Sequence, residues 1–496
     1  MFNFLKKNKF LVLILFLTFL LRLPSLFEPY WYGDEGVYLT LGMSIRRGLL
    51  LYKDIFDNKP PLIYLLAALA GNLFWLRFIL LVSCLGSLIL ISNLTKLFFP
   101  KNNLAQRVTI LFFAFFSSIP LIEGNIANSE IFQILPIMGG IYLLFKNKKP
   151  SMVDFFMAPA TNLFISGTLF SLATLFKVPA IFDLVAVIIF LIFNYLSKKI
   201  FSFNLPKILS FLIGFSLPIL ISLIFFFFHH YLKEFIQITF FQNLGYLSSW
   251  KTGSHQFSLM KSNLFIKSII LILLLFILFY KQRESSLKMT LFCQIWFLFS
   301  FFAALLSNRP YAHYLIQVLP SFCLLMGILI SQRGFVRLSS IFLIMVFLVI
   351  SFCLKFWIYP VFSYYQNFLD FSLGRKDRAS YFSYFDKKTP QIYEISSYLV
   401  RYSHPSDKIF IWGDEPYIYA LSQRLPATRF TVAYHIIDFK KFTEVEKDLI
   451  QNPPKVIILK SQKNELSPAL ENLLNTNYLK IKKVGDFQIL RKGEAI

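Results

Sequence analysis

Residues 30–61 read YWYGDEGVYLTLGMSIRRGLLLYKDIFDNKPP, a polar loop set between two long apolar stretches. Asp34 and Glu35 come just after the first apolar segment, and Asp57-Asn58-Lys59-Pro60-Pro61 closes the loop just before the next. Carboxylates at a membrane boundary are costly to desolvate. Two of them, followed by a lysine at the edge of an apolar run, point to chemistry at the membrane surface.

The rest of the chain says where this loop sits. Of its 496 residues 56% are hydrophobic, 18% aromatic and only 15% charged, with a mean hydropathy of +0.61. A soluble protein of this length does not need so apolar a composition, so the class is a polytopic α-helical membrane protein. Residues 1–360 hold 30 Lys+Arg against 11 Asp+Glu, while 361–496 hold 20 against 15. The basic residues fall in short segments between apolar runs and not on one soluble face, so no nucleic-acid partner is expected. Cys84, Cys293, Cys323 and Cys353 all lie inside apolar runs without paired spacing or histidine neighbours. They indicate neither a disulfide framework nor a metal site. Met1–Phe27 has a basic start, a long apolar core and no small-residue cleavage site, the pattern of a retained signal anchor.

A span needs about 20 apolar residues. Candidates lie near 10–27, 77–97, 108–122, 130–146, 161–176, 179–196, 207–228, 263–280, 289–306, 311–331 and 336–358. The run at 62–75 would be a twelfth. Loop charge decides against it. With eleven spans and a cytoplasmic N-terminus, the inner segments carry Lys6, Lys7, Lys9, Lys96, Lys101, Arg107, Lys146, Lys148, Lys149, Lys198, Lys199, Lys207, Lys281, Arg283, Lys288, Arg333 and Arg337, opposed only by Asp154 and Glu284. The outer loops then hold Asp34, Glu35, Glu123, Glu130 and Glu234. A twelfth span would invert most of this asymmetry. Residues 62–75 are therefore expected to form a short helix at the outer interface.

The same asymmetry puts residues 361–496 outside, as a small α/β domain next to a membrane domain of residues 1–360. Helices are expected at Ile392–Val400, Pro416–Gln423 and Asp438–Ile450, and strands at Lys408–Trp412, Thr428–Val432 and Lys455–Lys460. That alternation suggests a partly parallel sheet.

Several residues in the outer segments have both a structural and a chemical reading. Val37, Leu41, Ile45 and Leu49 recur on one face, so Gly33-Asp34-Glu35-Gly36 opens an in-plane helix. Asp34 is then either its N-cap or a general base held at the membrane surface. Glu35 is a first-turn acid favoured by the helix dipole or a partner of that base. Lys59-Pro60-Pro61 is a rigid turn with a snorkelling lysine, or a cation fixed at headgroup height for a lipid phosphate. Glu130 is a helix-start residue or a second site carboxylate. Lys177-Val178-Pro179 forms another outer turn, and Asp183, one turn inside the next span, is expected to pair with Lys177. Asn308-Arg309-Pro310-Tyr311-Ala312-His313-Tyr314 opens an outer-facing helix, where an arginine departs from the charge rule and asks for an anionic partner. On the expected topology Asp34, Glu35, Lys59, Glu130, Lys177, Arg309 and His313 all fall on the outer side.

In this order these motifs resemble the polyprenyl-phosphate-sugar-dependent glycosyltransferases of the GT-C superfamily, the group of protein O-mannosyltransferases and lipid A aminoarabinosyltransferases. The resemblance runs through Asp34-Glu35, Tyr52, Asn58-Lys59-Pro60-Pro61-Leu62, Glu130, Leu175-Phe176-Lys177-Val178-Pro179 and Arg309-Pro310-Tyr311-Ala312-His313-Tyr314, over about residues 1–360. It implies a GT-C type membrane domain with about eleven transmembrane helices. It implies transfer of a sugar from a lipid-linked phosphate donor, outside the membrane, with inversion at the anomeric carbon. By position, Asp34 would be the catalytic base with Glu35 supporting it, and Glu130 would take the place of the family's second acid. Lys59 would hold the donor phosphate, with Arg309, Lys177 and His313 assisting. Asn58 stands where the aminoarabinose enzymes tend to have an acid, so their acceptor does not carry over. The acceptor, whether protein, lipid or polysaccharide, is left open. No nucleotide-sugar site is needed, since the leaving group would be a lipid phosphate; no cofactor is expected, and no catalytic metal, since several relatives work without one.

Two other classes fit a polytopic chain. A transporter or flippase of lipid-linked sugars would carry charges near the bilayer midplane and inverted repeats, whereas these charges gather at one face. A membrane scaffold with a binding tail would make Asp34 irrelevant to any reaction.

Overall fold

The computed structural model describes residues 8–146, 158–198, 204–242, 263–282, 288–307, 309–460 and 466–493. Lys6, Lys7, Lys148, Lys149, Asp154, Lys199, Arg283, Glu284 and Asn308 lie outside these. The chain forms two compact units. One joins Met1–Leu23 to Ile79–Val361; the other joins Pro24–Phe78 to Phe362–Ile496. The loop that opened the sequence analysis therefore packs with the C-terminal residues.

The first unit is helical. Seven helices of the chain are long and apolar enough to cross a membrane: Lys9–Phe27, Leu73–Phe98, Val178–Leu196, Leu205–Phe228, Asn263–Gln282, Ala312–Ser331 and Gly334–Cys353. Asn103–Phe116, Ser129–Phe145, Ala160–Phe176 and Met289–Ala304 are shorter apolar helices in four further places where spans were expected. This is a multi-pass membrane protein. Its helices meet through small residues where backbones come close. A Cβ on Gly167 would lie 2.2 Å from the Phe211 carbonyl oxygen, and one on Gly214 would lie 2.0 Å from that of Phe164. Any larger side chain at either site would push the Ala160–Phe176 and Leu205–Phe228 helices apart.

Buried polar groups in this unit are matched by neutral donors as well as by charges. Asp183 accepts from Trp296 Nε1 at 2.6 Å and from Gln317 Nε2 at 2.7 Å. The expected pairing with Lys177 is not what partners it, because Lys177 turns to Glu130.

The second unit is built on a four-stranded sheet of order β1-β2-β4-β3, with β1 Ile409–Trp412, β2 Val456–Lys460, β3 Tyr478–Val484 and β4 Phe487–Lys492. β1 and β2 run parallel, and β4 is antiparallel to both β2 and β3. Helix Thr389–Tyr402 covers the sheet with Ile392, Ile395 and Leu399, spaced to share one face. Thr428–Val432, expected as a strand, is irregular, and the helix expected over Asp438–Ile450 runs Phe442–Gln451, after a separate short helix Ala433–Asp438.

The first loop joins this core physically. Helix Gly33–Arg46 sends Met43 into the same apolar cluster as Ile409, Ile458 and Phe487. Thr40 Oγ1 donates to the Pro416 carbonyl at 2.8 Å. Gly36 leaves room for Pro416 and Tyr417, which would stand 3.0 Å or less from a Cβ there. Helix Leu62–Ala70 packs on the same helix, with Ala67 and Ala68 against Gly42. It ends at Gly71, whose φ of +80° is a left-handed C-cap. Nine residues of helix rise about 13 Å, less than half a bilayer core of about 30 Å, so the 62–75 run is not a span of its own.

Candidate active site

Lys59 is held at three points. Its carbonyl accepts from the Tyr52 hydroxyl at 2.7 Å, and its N–H donates to Tyr64 Oη at 3.3 Å. Pro60 then fixes the φ that follows. Tyr52 itself sits at φ +69°, a left-handed conformation that costs a non-glycine residue about 1–2 kcal/mol. Its N–H reaches the Ile55 carbonyl at 2.7 Å, so the strain is retained where it aims the hydroxyl at Lys59.

The ammonium of Lys59 lies 3.4 Å from Asp34 Oδ2 and 3.8 Å from Asp57 Oδ2, and 5.1 Å from the centre of the Tyr38 ring. Burial alone would lower its pKa, but Asp34 and Asp57 outweigh burial and hold it well above the usual lysine value. Asp34 is not the N-cap of its helix. Tyr32 precedes the helix in an extended conformation and Asp34 lies in the first turn. Its Oδ2 also receives the Tyr38 hydroxyl at 3.4 Å. The side chain keeps 26% of its surface exposed, so a substrate can reach it.

Glu35, one residue on, points elsewhere. It takes a bidentate pair from Arg77, Nε at 2.8 Å and Nη2 at 2.6 Å. Arg77 also binds Glu28 at 2.9 Å and the Ser25 carbonyl at 2.7 Å through Nη1. Glu28 in turn accepts from Trp31 Nε1 at 2.9 Å and the Tyr364 hydroxyl at 2.6 Å. All three charged side chains are buried. An arginine inside an apolar run is itself a sequence signal, and Arg77 is where sequence reading missed a partner for Glu35.

In the first unit, Glu130, Lys177 and His313 come together. Lys177 Nζ pairs with Glu130 Oε1 and stands 4.0 Å from the centre of the Tyr314 ring. The His313 ring lies between two carboxylates, with Nδ1 2.7 Å from Glu123 Oε2 and Nε2 3.4 Å from Glu130 Oε1. Glu123, at φ +61°, was read from sequence only as a loop acid. Arg309 is half-buried in the segment leading to Ala312–Val318, where its N–H donates to Ser307 Oγ at 3.3 Å.

Among the described residues no group of three or more histidine, cysteine or acidic side chains is arranged to hold a metal ion. The first set offers a fixed cation next to a partly exposed carboxylate, whereas Glu123 and Glu130 of the second set are buried beside Lys177 and His313. The first combination suits an anionic ligand and a proton acceptor.

The structure of ArnT from Cupriavidus metallidurans bound to undecaprenyl phosphate superposes on this chain with a TM-score of 0.58 at 11% identity, covering 97% of both chains. The fold is of the GT-C type. The archaeal oligosaccharyltransferase AglB from Archaeoglobus fulgidus, in complex with an inhibitory peptide and a dolichol-phosphate, is a looser likeness. Its TM-score is 0.45 at 14% identity, over 98% of this chain and 75% of that one. Residues 391–492 match the family described as "Putative competence-induced protein Ccs4 C-terminal domain". No curated protein sequence matches the chain.

Proposed function

We propose that this protein is an integral-membrane glycosyltransferase that moves a sugar from a polyprenyl-phosphate donor to an exoplasmic acceptor, with inversion. The observation that carries the reading is the Lys59–Asp34 pair: a cation pinned by its own backbone next to a reachable carboxylate. It occurs in a chain that shares the fold of a protein bound to undecaprenyl phosphate.

In this reading the donor phosphate docks on Lys59 and competes with Asp34 for the ammonium. Asp34, loosened from that pair, takes the proton of the acceptor hydroxyl as its oxygen bonds to the anomeric carbon. The bond from that carbon to the phosphate oxygen breaks, and its electron pair leaves with the polyprenyl phosphate. Lys59 steadies the charge that develops there. Attack opposite the leaving group gives inversion. Glu35 works through Arg77 to hold the helix that presents Asp34. Glu130, Lys177 and His313, joined by Glu123, form the second charged set, with Arg309 beside the segment that carries His313. In this reading the N-terminus lies in the cytoplasm and residues 361–496 outside, an orientation that the loop charges favour.

The test is a panel of polyprenyl-phosphate sugars given to the purified protein in detergent. Release of polyprenyl phosphate, with a product whose anomeric configuration by NMR is opposite to that of the donor, is the expected result. A product of retained configuration would refute the mechanism. The same protein placed in liposomes separates a flippase: movement of intact donor across the bilayer without any release would favour it.

A further inference from the structure

Asp57, at the end of the first loop, lies beside Lys59 in a buried polar setting. Its carboxylate is buried, so each oxygen needs a partner. Oδ1 accepts from the Asn58 N–H at 2.7 Å and faces His435 Nε2 at 3.5 Å. Oδ2 accepts from the Tyr64 hydroxyl at 2.7 Å and faces Lys59 Nζ at 3.8 Å. His435 belongs to helix Ala433–Asp438 of the C-terminal domain, far from Asp57 in sequence.

That helix is anchored against the loop. Ala433 N–H donates to the Gly413 carbonyl at 3.0 Å and Tyr434 N–H to Asp414 Oδ1 at 3.1 Å. Phe56, next to Asp57, donates its N–H to the Arg429 carbonyl at 2.9 Å, and its ring meets those of Phe430, His435 and Phe439. The imidazole is buried against these aromatic rings, and its Nδ1 has no hydrogen-bond partner among the described residues. Burial lowers its pKa and outweighs the pull of Asp57, so the ring is neutral near pH 7. The tautomer with its proton on Nε2 turns a long, 3.5 Å donor contact toward Asp57 Oδ1, where the other tautomer would set two acceptors face to face.

We propose that His435 is a positioning residue through which the C-terminal domain holds Asp57 away from full contact with Lys59 and so keeps that ammonium open to the donor phosphate. The proposal rests on the reading of Lys59 as the phosphate holder. Without the His435 N–H, Asp57 closes on Lys59 and competes with the phosphate.

The experiment measures the affinity of undecaprenyl phosphate for the full-length protein in detergent. His435→Phe keeps an aromatic ring but removes the N–H; His435→Gln loses the ring but places an amide donor where Nε2 stood. The proposal predicts about five- to twentyfold weaker binding for His435→Phe and less than about threefold for His435→Gln. A packing role predicts the reverse order. In an Asp57→Asn background the two substitutions should become equivalent, since the charge they serve is gone. Wild-type affinity in His435→Phe, or equal losses in both single variants, overturns the proposal. If His435→Phe does not fold, His435→Met removes the N–H with a side chain of similar bulk and should weaken binding to a similar degree; unchanged affinity there counts against it equally. Lys59→Ala, measured alongside, separates the two claims. If it binds like wild type, the phosphate reading itself fails. If it binds weakly while His435→Phe does not, the positioning role alone fails.

Discussion

Lys59 Nζ stands 3.4 Å from Asp34 Oδ2, close enough to attract and too far for a tight ion pair. Tyr52 and Tyr64 fix the lysine backbone, so the ammonium reaches its partners only through its own side-chain torsions. An ammonium has three donor positions, which gives it capacity for a second anion beside Asp34.

Replacing Lys59 by alanine should therefore weaken binding of a polyprenyl-phosphate donor by about ten- to a hundredfold. This is the worth of a charge-assisted contact of about 1.5–3 kcal/mol. The backbone of residue 59 stays held by Tyr52 and Tyr64, but buried Asp57 loses its cation, so the variant should melt earlier than wild type while its folded fraction is titrated. Titration of donor against both proteins checks this, and equal affinity would remove Lys59 from the site.

Glu35 is predicted to act on stability. Arg77→Met leaves Glu28 and Glu35 buried without their cation, a loss of about 3–5 kcal/mol. Glu35→Gln should also melt earlier than wild type. Its folded fraction should keep turnover within a few-fold of wild type, unlike a change at the base. A Glu35→Gln protein of unchanged melting temperature and abolished turnover would reverse this assignment.

His435 carries a pH signature. Its pKa is lowered on folding by burial, against the pull of Asp57 and Asp34 and with Lys59 nearby, so the unfolded chain binds its proton first. Stability from this group is present above its unfolded value near 6.5 and is lost as pH falls below it. Between about pH 7.5 and 5 the melting temperature of wild type should drop more than that of His435→Gln. Parallel curves would contradict a neutral, buried His435.

Much of this was legible in residues whose type conflicts with their surroundings. Asp34, Lys59, Glu130, Lys177 and His313 stood out as charges at apolar boundaries, and the structure groups them as two pairings and a bridging histidine. Helix Leu62–Ala70 and strands β1 and β2 were read from hydrophobic length and pattern. β3 escapes the reading because Lys480, Lys482 and Lys483 hide its alternation, and β4 because its buried residues, Phe487, Ile489 and Leu490, do not alternate. Asp57, Glu28 and His435 could not be assigned from sequence, since their roles depend on contacts between segments hundreds of residues apart. Asp183 was given the nearest cation along the chain, whereas Trp296 and Gln317 reach it across the helix packing.

The proposed orientation predicts that helix Pro468–Asn477 faces outside the cell. Asn472, exposed on that helix and away from its N-cap, is a suitable site for a single cysteine in a background lacking the exposed Cys353. An impermeant thiol reagent should label Asn472→Cys in intact cells. Labelling only after lysis would place residues 362–496 in the cytoplasm and invert the topology.

The most direct test of the central claim is the turnover of Asp34→Asn. Asparagine keeps the size of the side chain and a hydrogen-bond acceptor for Tyr38 but cannot take a proton near pH 7. A positioned general base contributes about 10²–10⁴-fold. Transfer from a lipid-linked sugar by the purified variant should therefore fall by at least about a hundredfold, while donor affinity holds or rises, because the charge that competes for Lys59 is gone. Near wild-type turnover in a folded Asp34→Asn protein would show that Asp34 only pairs with Lys59 and that the base lies elsewhere.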